Sequence, residues 1–194
     1  MKKPVNPILL DFPDSFETER LTIRSPMPGD GAELQAAVAE SIDDLRPWLA
    51  WATHVPSVEE EEEAVRRGRA RFLTREDLWL LLFLKGTHTL VGGSGLHRMD
   101  WDVPSFEIGY FVRSRFAGQG YITEAVRGVT RFAFETLGAR RVEIRCDARN
   151  QRSRRVAERA GFELEATLRN HAVAVDGELR DTLIYVRLEP LEAE

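Results

Sequence analysis

The stretch Arg115-Phe116-Ala117-Gly118-Gln119-Gly120-Tyr121 lies between two segments of different periodicity. Residues 105–112 before it are rich in β-forming side chains, and residues 122–137 after it carry an apolar stripe at helical spacing. Glycines let a backbone turn tightly and approach a ligand closely. The first turn of a following helix adds unpaired N–H groups and a positive dipole end. The stretch is therefore predicted to be a strand-to-helix loop that can hold a pyrophosphate.

The same loop sequence allows two other interpretations, a dinucleotide-binding loop and a tight turn without a ligand. A dinucleotide-binding fingerprint needs a third glycine and an acidic residue about 20 residues further on. Thr123 stands where that glycine would be, and Asp147 lies too far along. The chain also lacks the repeated β-α-β units of a doubly wound fold. The remaining interpretation is a tight turn that binds nothing.

The rest of the chain predicts a single mixed α/β domain. The predicted order of elements is β-α-α-β-β-β-α-β-α-β-β, with three adjacent antiparallel strands and a central parallel β-α-β unit. Ser57 and Glu60 have the spacing of a capping box that starts the second helix. Three prolines before Phe16 predict an extended leader over residues 1–15, followed by one domain over residues 16–190.

Composition limits the possible partners. The 194 residues include 27 Lys and Arg against 32 Asp and Glu, a net charge of −5, whereas non-specific nucleic-acid binding rests largely on basic residues. The single cysteine, Cys146, excludes an internal disulfide and a Cys-based zinc site, and the four histidines lack metal-site spacing. The apolar run 78–84 is far shorter than the ~20 residues that cross a bilayer. We expect a cytoplasmic protein without metal, membrane or nucleic-acid partners.

The motif Arg115-x-x-Gly118-x-Gly120 resembles the acyl-CoA signature of the GNAT superfamily of N-acyltransferases. Five further segments resemble the RimJ/RimL-type protein N-terminal acetyltransferases within that superfamily: Phe106-Glu-Ile-Gly-Tyr-Phe-Val, Gly120-Tyr-Ile-Thr-Glu-Ala, Asn150-x-x-Ser153, Ala160-Gly-Phe-Glu and Leu168-Arg-Asn-His. The resemblance covers about residues 16–188. It implies a mixed β-sheet that splays at its centre and is flanked by helices.

The resemblance also implies acetyl-CoA as cosubstrate, without a metal. In this family the pantetheine arm inserts between the splayed strands, and the pyrophosphate lies at the loop. Asn150 is expected either to bind pantetheine or to cap the helix that follows it. One or two of the arginines at 149, 152, 154, 155 and 159 are expected to meet the 3′-phosphate. The other cofactor-binding residues implied are Phe111, Val112, Arg113, Arg115, Ala117, Gly118, Gln119, Gly120, Tyr121 and Ser153.

A thioester is already activated, so an acceptor amine can attack it directly. The protein must then supply a base, a donor to the oxyanion and an acid for the leaving thiolate. The resemblance implies Glu107 as the base and Ser153 as the acid, with Tyr185 and Tyr110 as substitutes for the acid. The structural alternatives are a strand glutamate that is paired with an arginine or exposed to water, and a serine at a helix N-cap. The oxyanion is expected to meet the backbone N–H of Val112 or of a neighbour.

The acceptor is expected to be a primary amine. A protein N-terminal α-amine, such as that of a ribosomal protein, is favoured over a polyamine, an amino-acid derivative or an aminoglycoside. The predicted substrate-binding residues are Trp48, Trp51, His171 and Asp181. A non-catalytic acyl-CoA-binding module is the alternative from another class, and the presence of both Glu107 and Ser153 favours the enzyme. The oligomeric state is open, with a homodimer among the options.

Overall fold

The chain folds into strands and helices whose order agrees with the prediction, and the computed structural model describes residues 6–191. Within these residues the strands are β1 (Ser15–Glu17), β2 (Leu21–Arg24), β3 (Leu78–Leu84), β4 (Leu90–Asp100), β5 (Ser105–Val112), β6 (Arg141–Asp147), β7 (Glu163–Val173) and β8 (Leu179–Arg187). The α-helices of the same region are α1 (Gly31–Leu45), α2 (Val58–Thr74), α3 (Tyr121–Glu135) and α4 (Gln151–Arg159). The short strand β1 is the one addition to the predicted order.

The strands of residues 6–191 form one sheet in the order β1-β2-β3-β4-β5-β6-β8-β7. Neighbouring strands are antiparallel except β5 and β6, which are parallel. Parallel neighbours need a long crossover connection, and α3 supplies it. The predicted mixed α/β class and its central parallel unit are confirmed.

β5 and β6 separate towards their carboxyl ends. Their pairing spans three residues of each strand and ends at Glu107 and Glu143. Residues 108–112 of β5 and 144–147 of β6 continue past this point without a shared ladder. Two strand edges that would otherwise bond to each other are thus released, and a cleft opens in the sheet. The predicted central splay is confirmed.

Helices cover both faces of this sheet, and β3 shows why. Successive side chains of a strand point to opposite faces, and in β3 both sets are apolar. Leu80 and Leu82 pack with the apolar stripe of α3, whereas Leu81 and Phe83 pack with residues of α1 and α2. Full burial of one such side chain contributes about 1.5–3 kcal/mol. Each face of the sheet therefore holds its own layer of helices.

Helix α2 begins at the predicted capping box. The Ser57 hydroxyl accepts a hydrogen bond from the Glu60 N–H at 3.1 Å, and the Glu60 carboxylate accepts one from the Ser57 N–H at 2.7 Å. Glu59 and Glu61 share this first turn, where negative charge is favourable. The prediction for the start of α2 is confirmed.

Part of the predicted leader packs against the domain. Residues 1–5 lie outside the described residues. Pro7–Leu9 form a 3-10 turn rather than an extended segment. Phe12 contacts Phe72 of α2 edge-on, with the ring centroids 5.9 Å apart. β1 begins at Ser15, the last residue of the predicted leader, and the boundary between leader and domain stays a prediction.

Residues 6–191 contain four α-helices, of which the longest is α2 with 17 residues. None of these helices is long and apolar enough to cross a membrane. The same part of the chain holds no group of three or more His, Cys, Asp or Glu side chains arranged to bind a metal ion.

Candidate active site

The loop after β5 presents a row of unpaired backbone N–H groups. A 3-10 turn at Ser114–Phe116 follows the strand, and α3 begins at Tyr121. Gly118 and Gly120 have φ angles of 77° and 84°, a region that residues with a side chain disfavour. Among the described residues no acceptor meets the N–H groups of residues 118–123. Together with the positive end of α3, these groups can bind an anion such as a phosphate.

The cleft between β5 and β6 is a cavity of about 590 Å³. The end of β5 and the loop form one wall, and the end of β6 and α4 form the other. Arg152, Arg155 and Arg159 of α4 also line the cleft, at spacings that place them on one face of that helix. Other residues that line the cleft are Trp48, Tyr110, Phe111, Val112, Ala117, Gly118, Gly120, Tyr121, Cys146, Asn150 and Ser153. Its volume is typical of a small-molecule site.

Two carboxylates from α1 hold the loop. Glu40 accepts hydrogen bonds from the side chains of Arg115 and Arg113, both at 2.8 Å, and Glu33 accepts one from Arg113 at 2.8 Å. Because Arg115 and Arg113 donate to it, the pKa of Glu40 is lowered to about 2. The Gln119 side chain turns back to the Arg115 carbonyl at 2.8 Å. The side chains of Arg113, Arg115 and Gln119 therefore shape the loop and are not among those that line the cleft, and the cofactor contacts of these three residues stay predictions.

The free edge of β5 offers main-chain groups to the cleft. The Arg113 N–H donates to the Val91 carbonyl of β4 at 2.8 Å. Alternate residues of an antiparallel strand direct their N–H and C=O groups away from the partner strand. Val112 and Tyr110 therefore direct these groups into the cleft, and a ligand there can accept a hydrogen bond from the Val112 N–H.

Ser153 and Tyr110 meet across the cleft. Their hydroxyl oxygens are 2.9 Å apart, and the Tyr110 hydroxyl also donates to the Ser153 carbonyl at 3.1 Å. Burial raises the pKa of Tyr110, so its hydroxyl stays protonated. α4 begins at Gln151, and the Asn150 side chain caps it by accepting from the Ser153 N–H at 3.0 Å. Ser153 is thus not the N-cap, and it lines the cleft.

A second cavity of about 590 Å³ lies on the sheet face that α2 covers. Trp51, Trp79 and Phe111 form aromatic walls, and Trp51 contacts Phe111 edge-on with the ring centroids 5.8 Å apart. This cavity shares Leu49, Tyr110 and Phe111 with the cleft. The two cavities therefore meet on opposite sides of the same short segment of β5.

Glu107 lies where β5 and β6 part. Its carboxylate accepts a hydrogen bond from Arg98 at 3.0 Å and forms an ion pair with Arg145 at 3.5 Å. Burial raises the pKa of Glu107, and the charges of Arg98 and Arg145 oppose that rise. Glu107 lines neither the cleft nor the second cavity. The pairing with arginine that was its structural alternative is present.

The four predicted acceptor residues do not lie together. Trp51 lines the second cavity, whereas Trp48 lines the cleft. His171 and Asp181 line neither, and His171 contacts the Thr182 hydroxyl at 3.1 Å. The reason is the strand order, since β7 is the outermost strand and β6 and β8 separate it from β5. α2, rather than the β7–β8 hairpin, borders the second cavity.

Three features of the site were missed or undervalued. Tyr110, weighed only as a substitute acid, lines both cavities, and its odd spacing from Glu107 could have placed it on the opposite face of β5. Cys146, for which the sequence suggests no role, lines the cleft, and burial raises the pKa of its thiol. His97 and Asp77 both line the second cavity, with His97 Nδ1 2.7 Å from the Asp77 carboxylate. No sequence signal joins these two residues, because only the pairing of β3 with β4 brings them together.

A mixed sheet that splays beside a glycine loop and a helix N-terminus defines the class of GNAT-fold acyltransferases. Residues 20–163 match the acetyltransferase (GNAT) domain. The chain belongs to this family, and it is an N-acetyltransferase. The family resemblance inferred from the sequence motifs is confirmed.

Individual relatives agree with this assignment. The putative ribosomal N-acetyltransferase YdaF of Bacillus subtilis (strain 168) is 31% identical over 172 residues, which cover 88% of this chain and 92% of YdaF. The microcin self-immunity acetyltransferase MccE, in complex with acetyl-CoA and AMP, has a TM-score of 0.84 at 21% identity and covers 92% of this chain and 98% of MccE. RimL, a ribosomal-protein α-N-acetyltransferase, in complex with coenzyme A, has a TM-score of 0.80 at 24% identity and covers 88% of this chain and 95% of RimL. The two solved structures share the fold of this chain.

Proposed function

We propose that this enzyme transfers the acetyl group of acetyl-CoA to the α-amine of a protein N-terminus. The observation that carries the proposal is the meeting of the cleft and the second cavity at Tyr110 and Phe111. A thioester in one cavity and an amine in the other can approach each other there. The name of YdaF and the RimL complex with coenzyme A support a protein acceptor, with ribosomal proteins among the candidates. A cytoplasmic location is part of the proposal.

The residues of the cleft fit acetyl-CoA. The N–H groups of residues 118–123 and the positive end of α3 suit a pyrophosphate. Arg152, Arg155 and Arg159 supply cations for the 3′-phosphate. The Val112 N–H can donate to the pantetheine arm or to the thioester carbonyl. Asn150, which caps α4, acts on the cofactor through the position of Ser153.

Acetyl-CoA supplies a thioester whose carbonyl carbon the amine nitrogen attacks, so that a C–N bond forms as the C–S bond breaks. The Val112 N–H donates to the carbonyl oxygen as negative charge grows there. The Ser153 hydroxyl gives its proton to the leaving sulfur and regains one from the attacking nitrogen, so the hydroxyl ends unchanged. The protonated hydroxyl of Tyr110 orients Ser153 for this exchange.

Glu107 is proposed to assist in removing the first proton of the acceptor ammonium. An α-amine has a pKa near 8 and a lysine amine near 10.4, so an α-amine needs only a weak base. The raised pKa of Glu107 brings it closer to the range of a base that works near neutral pH. Because Glu107 is paired with Arg98 and Arg145 and lines neither cavity, it acts on the amine through an intervening group.

The second cavity supports a peptide acceptor. Trp51, Trp79 and Phe111 give it an apolar wall for a small N-terminal side chain. Solvent-exposed residues of α2, Arg67 and Arg71, form part of its rim, so a polypeptide can leave the cavity towards solvent. These features suit a chain end better than a molecule that must be enclosed.

Two carboxylates favour a second candidate acceptor, a small polycationic amine. Glu60 and Glu61 line the second cavity, and burial raises the pKa of Glu61. A polyamine carries several ammonium groups and can place one at these carboxylates and another at β5. An N-terminal α-amine carries a single positive charge, on the nitrogen that reacts. It therefore has no second ammonium group that could bind Glu60 and Glu61.

A competition assay separates these acceptors. The enzyme is incubated with acetyl-CoA and an equimolar mixture of short peptides starting with Ala or Ser, spermidine and an aminoglycoside, and the products are read by mass spectrometry. Peptides with a blocked N-terminus are the matched control. We expect the free peptides to be acetylated first and the blocked ones not at all. A preference for spermidine or the aminoglycoside would replace the peptide acceptor, and acetyl-CoA binding without turnover of any amine would favour the non-catalytic module.

A further inference from the structure

The imidazole of His97 lies across two glycines that face each other in the sheet. Gly95 of β4 is directly opposite Gly109 of β5. A Cβ atom at Gly95 would lie 3.1 Å from His97 Cε1, and one at Gly109 would lie 3.1 Å from Cδ2 and 3.2 Å from Nε2. A side chain at Gly109 would press on the ring, and one at Gly95 would meet the Leu78 carbonyl oxygen at 2.6 Å as well as the ring. The glycine pair therefore lets the ring rest against the sheet, with Nε2 over Gly109.

The other nitrogen of the ring is held by Asp77. Nδ1 lies 2.7 Å from a carboxylate oxygen of Asp77, the residue before β3, and both side chains are half-buried. A carboxylate that accepts a hydrogen bond from Nδ1–H fixes the orientation of a neutral imidazole and leaves Nε2 with a free lone pair. His97 thus has the arrangement of an oriented base.

His97 lines the cavity that meets the cleft at Tyr110 and Phe111. His97, Asp77 and Gly109 line the second cavity, and Gly109 directly precedes Tyr110, which borders both cavities. Glu107 is directly opposite His97 in the ladder between β4 and β5, and the two side chains interact electrostatically. The remaining titratable or charged groups around this cavity are His54 before α2 and, on α2, Glu60, Glu61, Arg67 and Arg71.

We propose that His97 is the base that takes the proton from the acceptor ammonium. This inference rests on the proposed acetyl transfer. Nε2 accepts one proton, the ammonium becomes a neutral amine, and the freed electron pair on its nitrogen forms the C–N bond. The imidazolium then releases its proton to solvent through the second cavity. Asp77 and Glu107 are positioning residues, because each acts on the amine through His97.

The test measures kcat/KM against pH for the wild type and for His97→Gln, Asp77→Asn and Glu107→Gln. His97→Gln should lower kcat/KM for the best acceptor by about 10²–10⁴-fold near pH 7. That loss should shrink as the pH approaches the amine's own pKa of about 8, because the free amine needs no base. Asp77→Asn should give a smaller loss with the same dependence on pH. His88→Gln, in the exposed turn between β3 and β4, is the matched control and should behave as wild type.

A double variant separates His97 from Glu107. If both act on the same proton, Glu107→Gln should cause little further loss in the His97→Gln background. Acetyl-CoA affinity by calorimetry and the melting temperature should stay those of the wild type in every variant. An active wild type whose His97→Gln variant keeps its rate across pH 6–9, or loses the same factor at every pH, would overturn the role of His97 alone. A wild type that acetylates no amine would overturn the proposed function and this role together.

Discussion

Replacing Gly118 by valine should weaken coenzyme A binding by about 10²–10⁴-fold and leave the protein folded. Gly118 has a φ of 77°, and a Cβ there would have no atom within 4 Å, so the variant strains the backbone and meets no clash. The strain is about 1–2 kcal/mol. A loop that relaxes to negative φ turns the N–H groups of Gly118 and Gln119 away from the pyrophosphate. Hydrogen bonds to a charged group contribute about 1.5–3 kcal/mol each, so losing two costs about 3–6 kcal/mol, the stated range of affinity.

The chain provides a matched control for this strain. Gly86, in the turn between β3 and β4, has a φ of 73° and also has open space around a Cβ. Gly86→Val should therefore lose similar stability and keep its affinity for coenzyme A. Titration calorimetry and thermal unfolding of the wild type and both variants give the comparison. A folded Gly118→Val protein with wild-type affinity, or an equal loss of affinity in Gly86→Val, would refute the assignment of the loop.

Further predictions concern the acid, the 3′-phosphate and stability at low pH. Ser153→Ala should lower kcat by about 10²-fold or more with acetyl-CoA affinity unchanged; an unchanged single-turnover rate would remove Ser153 from the chemistry. Tyr110→Phe should lower kcat less than Ser153→Ala does, because the serine hydroxyl remains, and a larger loss would reverse the two roles. Arg155→Ala should weaken coenzyme A binding but not dephospho-coenzyme A binding, and equal losses for the two ligands would contradict a contact with the 3′-phosphate. The free energy of unfolding should fall as the pH drops from 4.5 towards 2, because the folded pKa of Glu40 is lowered from 4.5 to about 2 and the stabilisation is lost on protonation. Glu40→Gln should flatten this part of the urea-unfolding profile, and a profile with the wild-type slope would exclude Glu40 as its source.

The elements around the splay could be predicted because their signals are local. Residues 105–112, predicted as a strand from their β-forming side chains, are β5 in the structure, and β6 alternates apolar residues at Val142, Ile144 and Cys146 with charged ones. The full extent of β7, from Glu163 to Val173, has no such local signal. Its pairing with β8 shifts register between Leu168 and Ala172, so the simple alternation that marks a strand is interrupted there.

The candidate site also combines features that the local sequence predicts with contacts that it does not. The glycine loop is contiguous, and its N–H groups follow from a turn that leads into a helix. Arg113 donates hydrogen bonds to Glu33 and Glu40, which lie more than 70 positions earlier in the chain. No local sequence pattern predicts such a contact. The second cavity likewise depends on how α2 crosses the sheet. Sequence periodicity specifies which face of a helix is buried, but it does not specify which strand that face covers.

The three-residue ladder between β5 and β6 has a consequence for how the molecule resists unfolding. Within residues 6–191, strand pairing joins the block of β1 to β5 to the block of β6 to β8 only through that ladder, and the Arg140 and Arg141 N–H groups donate to the Pro104 carbonyl at its end. A ligand that forms hydrogen bonds to both walls of the cleft would hold the two blocks together. A ligand at 100 times its dissociation constant adds about 2.7 kcal/mol to the free energy of unfolding. The lifetime of the folded enzyme is thereby coupled to the supply of its own acyl donor, and slower amide exchange on both sides of the cleft would report that coupling.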